Sequence, residues 1–296
     1  MELGGKEFFS KRYEQLGGKI VDIFLPKTIR LNTLRASAKE IIARLEKIGV
    51  KLEKIPFTTH GFVAQSSFSL GAIAEYLLGY YYLQEAAAQL PVSVLNPKPD
   101  DIILDCCAAP GGKTAQLAQL MKNQGVIVAF EQKEHRIPSL LMNIERMGVE
   151  NAVVFKGDAA YAKNLGVQFD KIILDAPCAG NFVTDPVWFE KRDMTGIERS
   201  SAIQKRLLKS AVEVLAPNGV LVYSTCSLEP EENELNMQWA IDNLPVRLEN
   251  VSLPIGDPGL TNVFGKKLSP DIAKCKRFWP HKTNTEGFFI AKLVKL

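Results

Sequence analysis

The chain is poor in the residues that build metal and disulfide scaffolds. Its three histidines (His60, His135 and His281) lie far apart, and no C-x-x-C occurs among the five cysteines. Neither pattern suits a zinc framework, so no metal is expected. An odd number of irregularly spaced cysteines also argues against a disulfide-held fold and points to reduced thiols in a cytoplasmic protein. No apolar run approaches the roughly 20 residues that cross a bilayer. The opening MELGGKEFFSKRYEQ lacks a basic n-region and an apolar h-region, so neither a membrane nor a secretion signal is expected. Two glycine signatures are missing as well. DCCAAPGGKT ends in Gly-Lys-Thr, but a P-loop would put its first glycine at Cys107, and Pro110 removes an N–H from such a cradle. No G-x-G-x-x-G follows the same strand, which sets aside a dinucleotide fingerprint.

What is present describes a folded enzyme-sized chain. With 296 residues, 46% of them hydrophobic and 23% charged, it can form one large domain with an appendage or two ordinary ones. The net charge of +3 is unevenly spread. Residues 1–99 hold 13 Lys and Arg against 9 acids, and the remainder is close to neutral. Within that remainder KKLSPDIAKCKRFWPHK (266–282) carries six Lys and Arg, one acid, Phe278 and Trp279. Basic residues among aromatics suit phosphates and unstacked bases. A solvated loop is the plain alternative.

Periodicity divides the chain at LNPKPDD (95–101). Residues 1–95 mix short elements: helices in GKEFFSKRYEQL, SAKEIIARLEKIG and LQEAAAQLPVSVL (the last bent or shortened at Pro91), and strands in TIRLNTL and GFVAQ. They form a small N-terminal α+β domain. Residues 96–296 alternate strands (DIILDC, GVIVAFE, NAVVFKGD, FDKIILDAP, NGVLVYSTCS, GFFIAKLV) with amphipathic helices. That alternation predicts an α/β fold with a doubly wound, mostly parallel sheet. Ligands of such sheets sit beyond the C-terminal ends of the strands.

Three of those ends suit one cofactor. Gly111 and Gly112 make a tight strand-to-helix turn where a ligand can approach the backbone. The helix start behind them, with Lys113, favours a carboxylate. Glu131 can accept from two ribose hydroxyls, and Asp158 from an adenine amino group. Together these imply S-adenosylmethionine. Two further ends carry thiols, Cys178 in DAPCAG beside Asp175 and Cys226 in YSTCS. If a methyl group is transferred, a thiol is suited to attack C6 of a pyrimidine and so activate C5, while an acid holds or gives a proton at the ring. Unpaired cysteines more often merely pack, the role expected of Cys106 and Cys275.

DCCAAPGGKT, DAPCAG, YSTCSLEPEENE and RFWPHKTNTEGFFIAKL, with IRLNTLR and LQEAAAQLP, resemble the motifs of the Sun/Fmu family of RNA cytosine-5 methyltransferases, in family order from Ile29 to Leu293. The resemblance implies a Rossmann-like methyltransferase sheet. It implies Cys226 as the nucleophile at C6, Cys178 as the residue that resolves the covalent adduct, and Asp175 as the acid at the cytosine ring and near the cofactor. It assigns S-adenosylmethionine to Cys107, Ala108, Ala109, Pro110, Gly111, Gly112, Lys113, Glu131, Arg136 and Asp158. Backbone contacts to RNA are expected from Arg30, Arg35, Lys276, Arg277 and His281. Transfer RNA is the favoured substrate of an expected monomer, with ribosomal RNA second and a non-catalytic RNA-binding factor as the alternative. Ala179, Asn181 and Phe182 depart from the family's pattern and are expected to alter a loop that meets RNA.

Overall fold

Ser37 opens the helix Ala38–Lys47 by a reciprocal cap. Its Oγ accepts from the Glu40 N–H, and Glu40 accepts from the Ser37 N–H at 3.0 Å. The helix buries Ile41 and Leu45, four residues apart on one face. It stops before Gly49, whose φ of +89° suits glycine. This helix belongs to a computed structural model that describes residues 4–296 and contains two compact units.

One unit comprises Pro26–Ala159 and Phe169–Ile173. Its first half is an antiparallel sheet in the order Lys51–Lys54, Gly61–Gln65, Thr28–Leu31, Tyr81–Leu83. Its second half is parallel. Strand Ile102–Asp105 lies between Val126–Glu131 and the Phe169–Asp175 strand, and Ala152–Lys156 pairs with Val126–Glu131 beyond. Leu104 faces Val128 on one side and Ile172 on the other, so the central strand is buried among apolar neighbours up to its polar end at Asp105. Helices Gly112–Met121 and Ile137–Met147 follow the first two of these strands in sequence. Asn32 ties the halves together by donating to the carbonyls of Gly79 (2.8 Å) and Met147 (2.7 Å).

The other unit comprises the N-terminal residues up to Leu25, Ala160–Gln168 and Leu174–Leu296. Helix Lys6–Gln15 buries Phe9 and Tyr13, which join Leu16, Trp188, Ile197 and Trp279 in one core. The Phe9 and Trp188 rings meet edge to face at 4.6 Å. Strand Leu215–Thr225 pairs antiparallel with Phe288–Lys295, from Val220 opposite Val294 to Thr225 opposite Phe289. Lys276–Phe278 and Val246–Glu249 also pair with the Phe288–Lys295 strand. Helices Met194–Val214 and Glu234–Asn243 complete this unit. The strand Phe169–Asp175 runs through both units, its last two residues belonging to this one.

Three sequence expectations change. LQEAAAQLPVSVL is not one helix. A 3₁₀ turn at Ala87–Gln89 precedes a short helix, Leu90–Leu95, with Pro91 in its first turn, where a missing N–H costs little. The basic 266–282 stretch is not a solvated loop. It contains the strand Lys276–Phe278, and Phe278 and Trp279 are core residues that offer no face for a base. Arg277 and Arg30 are also interior. Arg277 is 0% exposed and donates through Nε (2.8 Å) and Nη2 (2.5 Å) to the equally buried Glu234, and through Nη1 to the Leu228 carbonyl. Arg30, 1% exposed, donates to Gln84, to the Gly112 carbonyl (2.8 Å) and to Gln116 (3.2 Å), and burial pulls its pKa down to about 9. Neither guanidinium presents itself to a phosphate.

Removing one partner of a buried ion pair strands the other charge. Arg277→Met should therefore cost about 3–5 kcal/mol of stability, measured as a lower urea midpoint. A loss below about 1 kcal/mol, the range of exposed pairs, would show that Glu234 is not confined as described.

Candidate active site

In the unit that holds both thiols, two strands end side by side in function. Phe169–Asp175 leads into Pro177 and Cys178, and Leu215–Thr225 leads into Cys226. The Ala176 N–H donates to the Ser224 carbonyl (2.8 Å), and Ser224 Oγ donates to Asp175 Oδ1 (2.7 Å), which orients that carboxylate. The two sulfurs lie 3.3 Å apart, within hydrogen-bonding distance. That bond, followed by burial, pushes the Cys178 thiol well above the usual range.

Cys226 is fixed on both sides. Thr225 Oγ1 donates to Asn233 (2.6 Å), and Asn233 Nδ2 donates to the Ser227 carbonyl (2.9 Å). Asn181 Nδ2 donates to the Cys226 carbonyl itself (2.7 Å). Asn181 is thus a buried clamp on the nucleophile candidate, not a variable RNA-facing side chain as the sequence suggested. Ala179 is buried too, its carbonyl accepting from Trp188 Nε1 (2.8 Å) and Arg192 Nε (3.0 Å). Glu232, 0% exposed, accepts from the Ala179 N–H (3.0 Å) and Gln204 Nε2 (2.8 Å), and burial pushes its carboxyl up to about 7.

The glycine turn belongs to the unit with the parallel strands. Asp105, buried at its strand end, accepts from Thr114 Oγ1 (2.7 Å) and the Cys107 N–H (3.4 Å), bracing the turn from inside. Ala108 and Ala109 are buried against Leu140, while Cys107 and Lys113 are half-buried and Pro110 is exposed. The carbonyl of Ala109 accepts from Arg136, and that of Pro110 from Asn143 (2.8 Å). Gly111 has φ +105°, which favours glycine at the turn. Gly112 serves packing instead of ligand approach: a Cβ there would meet the Tyr82 ring at 2.9 Å.

Glu131 shows that a polyhydroxyl ligand suits this unit. Its Oε1 accepts from the Lys133 N–H (2.7 Å). Its Oε2 is buried and, among the described residues, has no hydrogen-bond donor, with Arg136 at 3.4 Å as an ion contact. A buried carboxylate oxygen without a donor is costly, and a ribose hydroxyl would supply one. Asp158 is half-buried just beyond the strand Ala152–Lys156. The residues present therefore fit an adenosyl cofactor.

The expected RNA-binding residues scatter in character. Arg35 is exposed, but its guanidinium donates to the Glu145 (2.7 Å) and Arg146 (2.9 Å) carbonyls at the end of helix Ile137–Met147. Lys276 is half-buried and reaches the Gly256 carbonyl (3.2 Å). His281 is half-buried, and burial lowers its pKa. The sequence reading missed Glu232, Gln204 and Asp105, and named Asn181 only as a loop residue without its bond to Cys226. The only signal for Glu232 is its place among four acids in SLEPEENE.

The fold is that of a Rossmann-like methyltransferase. It matches the crystal structure of a methyltransferase homolog protein from Pyrococcus horikoshii at 43% identity and TM-score 0.90, over 99% of this chain and 96% of that one. It matches NSun6 from Pyrococcus horikoshii, solved with SFG, at 30% identity and TM-score 0.82, over 99% and 95%. A family model described as 16S rRNA methyltransferase RsmB/F matches residues 92–294, and the N-terminal domain model of 16S rRNA methyltransferase RsmF matches 6–86. The chain belongs to the RsmB/F methyltransferase family. It is 39% identical to a 28S rRNA (cytosine-C(5))-methyltransferase of Mus musculus over 91% of this chain, and spans 35% of that relative's length. It is 40% identical to the tRNA (cytosine(49)-C(5))-methyltransferase of Pyrococcus abyssi, over 92% of this chain and 88% of the relative.

Cys106 and Cys275 are buried and pushed upward by burial, whereas Cys107, Cys178 and Cys226 are half-buried. Brief iodoacetamide treatment of the native protein at neutral pH should leave Cys106 and Cys275 unmodified and label Cys226 before Cys178, read by peptide mass spectrometry. Early labelling of Cys178 would contradict its suppressed acidity.

Proposed function

We propose that this chain methylates C5 of a cytosine in RNA through a covalent bond from Cys226 to C6, resolved by Cys178. The observation that carries this reading is the 3.3 Å thiol pair at two strand ends, beside an oriented Asp175. A single reactive thiol would suit many chemistries. Two at this distance suit one that needs attack followed by proton removal on the same small ring.

Cys226 loses its thiol proton to solvent, its Sγ forms the bond to C6, and the pair of the C5–C6 double bond moves to C5 while Asp175 holds the proton at N3. S-adenosylmethionine, which Cys107–Lys113, Glu131, Arg136 and Asp158 would hold, supplies an electrophilic methyl group. Capture of Cys226 as a thioether removes the main cause of Cys178's raised pKa. Cys178 can then lose its proton to solvent and take the one on C5. The C5–H electrons re-form the C5–C6 double bond, and the C6–S pair returns to Cys226. SFG, an analogue of S-adenosylmethionine, on the NSun6 relative supports the choice of cofactor.

Transfer RNA is the substrate we favour, in keeping with the 40% identical relative from Pyrococcus abyssi, a tRNA (cytosine(49)-C(5))-methyltransferase. The target base must leave its stack for a sulfur to reach C6. In this reading residues 1–95 form the RNA-binding part and 96–296 the catalytic part. The exposed Lys266 and Lys267, with Lys276 and His281, take phosphate contacts in place of Arg30 and Arg277. Ribosomal RNA is the second reading, favoured by the family models.

Incubated with unmodified transfer RNA and S-adenosylmethionine, Cys178→Ala should accumulate an RNA–protein band that survives a denaturing gel, and Cys226→Ala should give none. The reverse pattern would make Cys178 the nucleophile. Glu131→Ala should weaken S-adenosylhomocysteine binding about ten-fold, the worth of one hydrogen bond to a charged group, seen as a smaller thermal shift at equal ligand.

A further inference from the structure

Release of the product requires Cys178 to reach the C5 proton while Cys226 is already bonded to carbon. The chain residues on either side of Cys178 are tied to one buried side-chain pair. Gln204 Nε2 donates to the Pro177 carbonyl (2.9 Å) and to Glu232 Oε1 (2.8 Å). The Ala179 N–H donates to Glu232 as well (3.0 Å). Resting on the covalent reading above, we propose that Glu232 and Gln204 are positioning residues for Cys178 that serve the release step and not the attack.

The brace is anchored from behind. Asn236 Nδ2 donates to Gln204 Oε1 (2.7 Å), Ser201 Oγ donates to Asn236 Oδ1 (2.8 Å), and the Tyr223 hydroxyl donates to the Glu232 carbonyl (2.5 Å). Glu232, Gln204, Asn236 and Tyr223 are all 0% exposed. Buried polar networks of this kind are costly when incomplete, and complete they fix a single geometry. Placing a carboxyl at 0% exposure between amide donors costs stability that an apolar residue would avoid. What it secures is the position of one sulfur.

The two sulfurs are held by separable means. Cys226 is fixed by Asn233 and Asn181, and of the two brace residues only Glu232 also reaches that segment, through the Ser227 side chain. Loosening the brace at Gln204 therefore moves Cys178 and leaves the nucleophile in place. A merely structural role for Glu232 would instead weaken attack and release together.

The test compares the wild type, Cys178→Ala, Glu232→Ala, Glu232→Gln and Gln204→Met, each incubated with unmodified transfer RNA and S-adenosylmethionine. Adduct formation is followed in a single turnover, and methyl incorporation over many turnovers. Glu232→Ala and Gln204→Met should form adduct within about three-fold of the wild-type rate, yet accumulate it and turn over ~10- to 100-fold more slowly, the scale of a 1 Å misplacement. Glu232→Gln keeps an oxygen for both donors and should recover release. Gln204→Met preserves volume, so it decides the matter if Glu232→Ala fails to fold, with S-adenosylhomocysteine binding as the check on folding. A parallel fall in adduct formation and turnover, or unchanged turnover, overturns the inference. No adduct with Cys178→Ala overturns the covalent reading and this inference with it. An adduct with Cys178→Ala but none accumulating in the brace variants overturns the inference alone.

Discussion

Four acids crowd into SLEPEENE, and three of them are fully buried. A buried carboxylate is tolerated only with partners: two of the three take an arginine and the third takes neutral donors. Glu229 meets Arg12 at 3.0 Å, which brings in the N-terminal helix. Glu232 holds the backbone beside Cys178. Glu234 takes the Arg277 fork, which brings in the strand Lys276–Phe278. Placed immediately after Cys226, this segment is where three separate parts of the unit are joined. The environment of the thiols is set by how those acids are satisfied.

The same logic explains the different character of the two sulfurs. Cys226 sits on a segment whose flanking polar groups bond locally, Thr225 to Asn233 and Asn233 to Ser227. Cys178 sits on a loop whose backbone is bonded to residues from two helices and from the turn before a third, Glu234–Asn243. Cys226 has a remote tie as well, Asn181 to its carbonyl, but the loop of Cys178 has more of them.

The alternation of strands and helices after LNPKPDD was legible because hydrophobic period and strand-end residues survive in any single sequence. The thiol motifs were legible for the same reason: DAPCAG and YSTCS end apolar strands. What stayed hidden depends on contacts between residues far apart in the chain. Arg30 and Arg277 are cations in basic surroundings, and only the folded partners, Gln84 and Gly112 for one and Glu234 for the other, show that they face inward. Phe278 and Trp279 looked like bases' companions because aromatic and basic residues sit together there, yet strand pairing holds Phe278 in the core and Trp279, just past the strand, packs against Tyr13. Asn181 read as a loop substitution because its acceptor, the Cys226 carbonyl, lies 45 residues on.

The core around Phe9 and Tyr13 sets a timetable for synthesis. Those side chains are made well before Trp188 and Ile197, and these well before Trp279. At roughly 5–20 residues per second, the apolar face of helix Lys6–Gln15 waits ~10–40 s for Trp188 and longer for Trp279. The core of the unit bearing both thiols is therefore assembled in stages and is incomplete until Trp279 has been made.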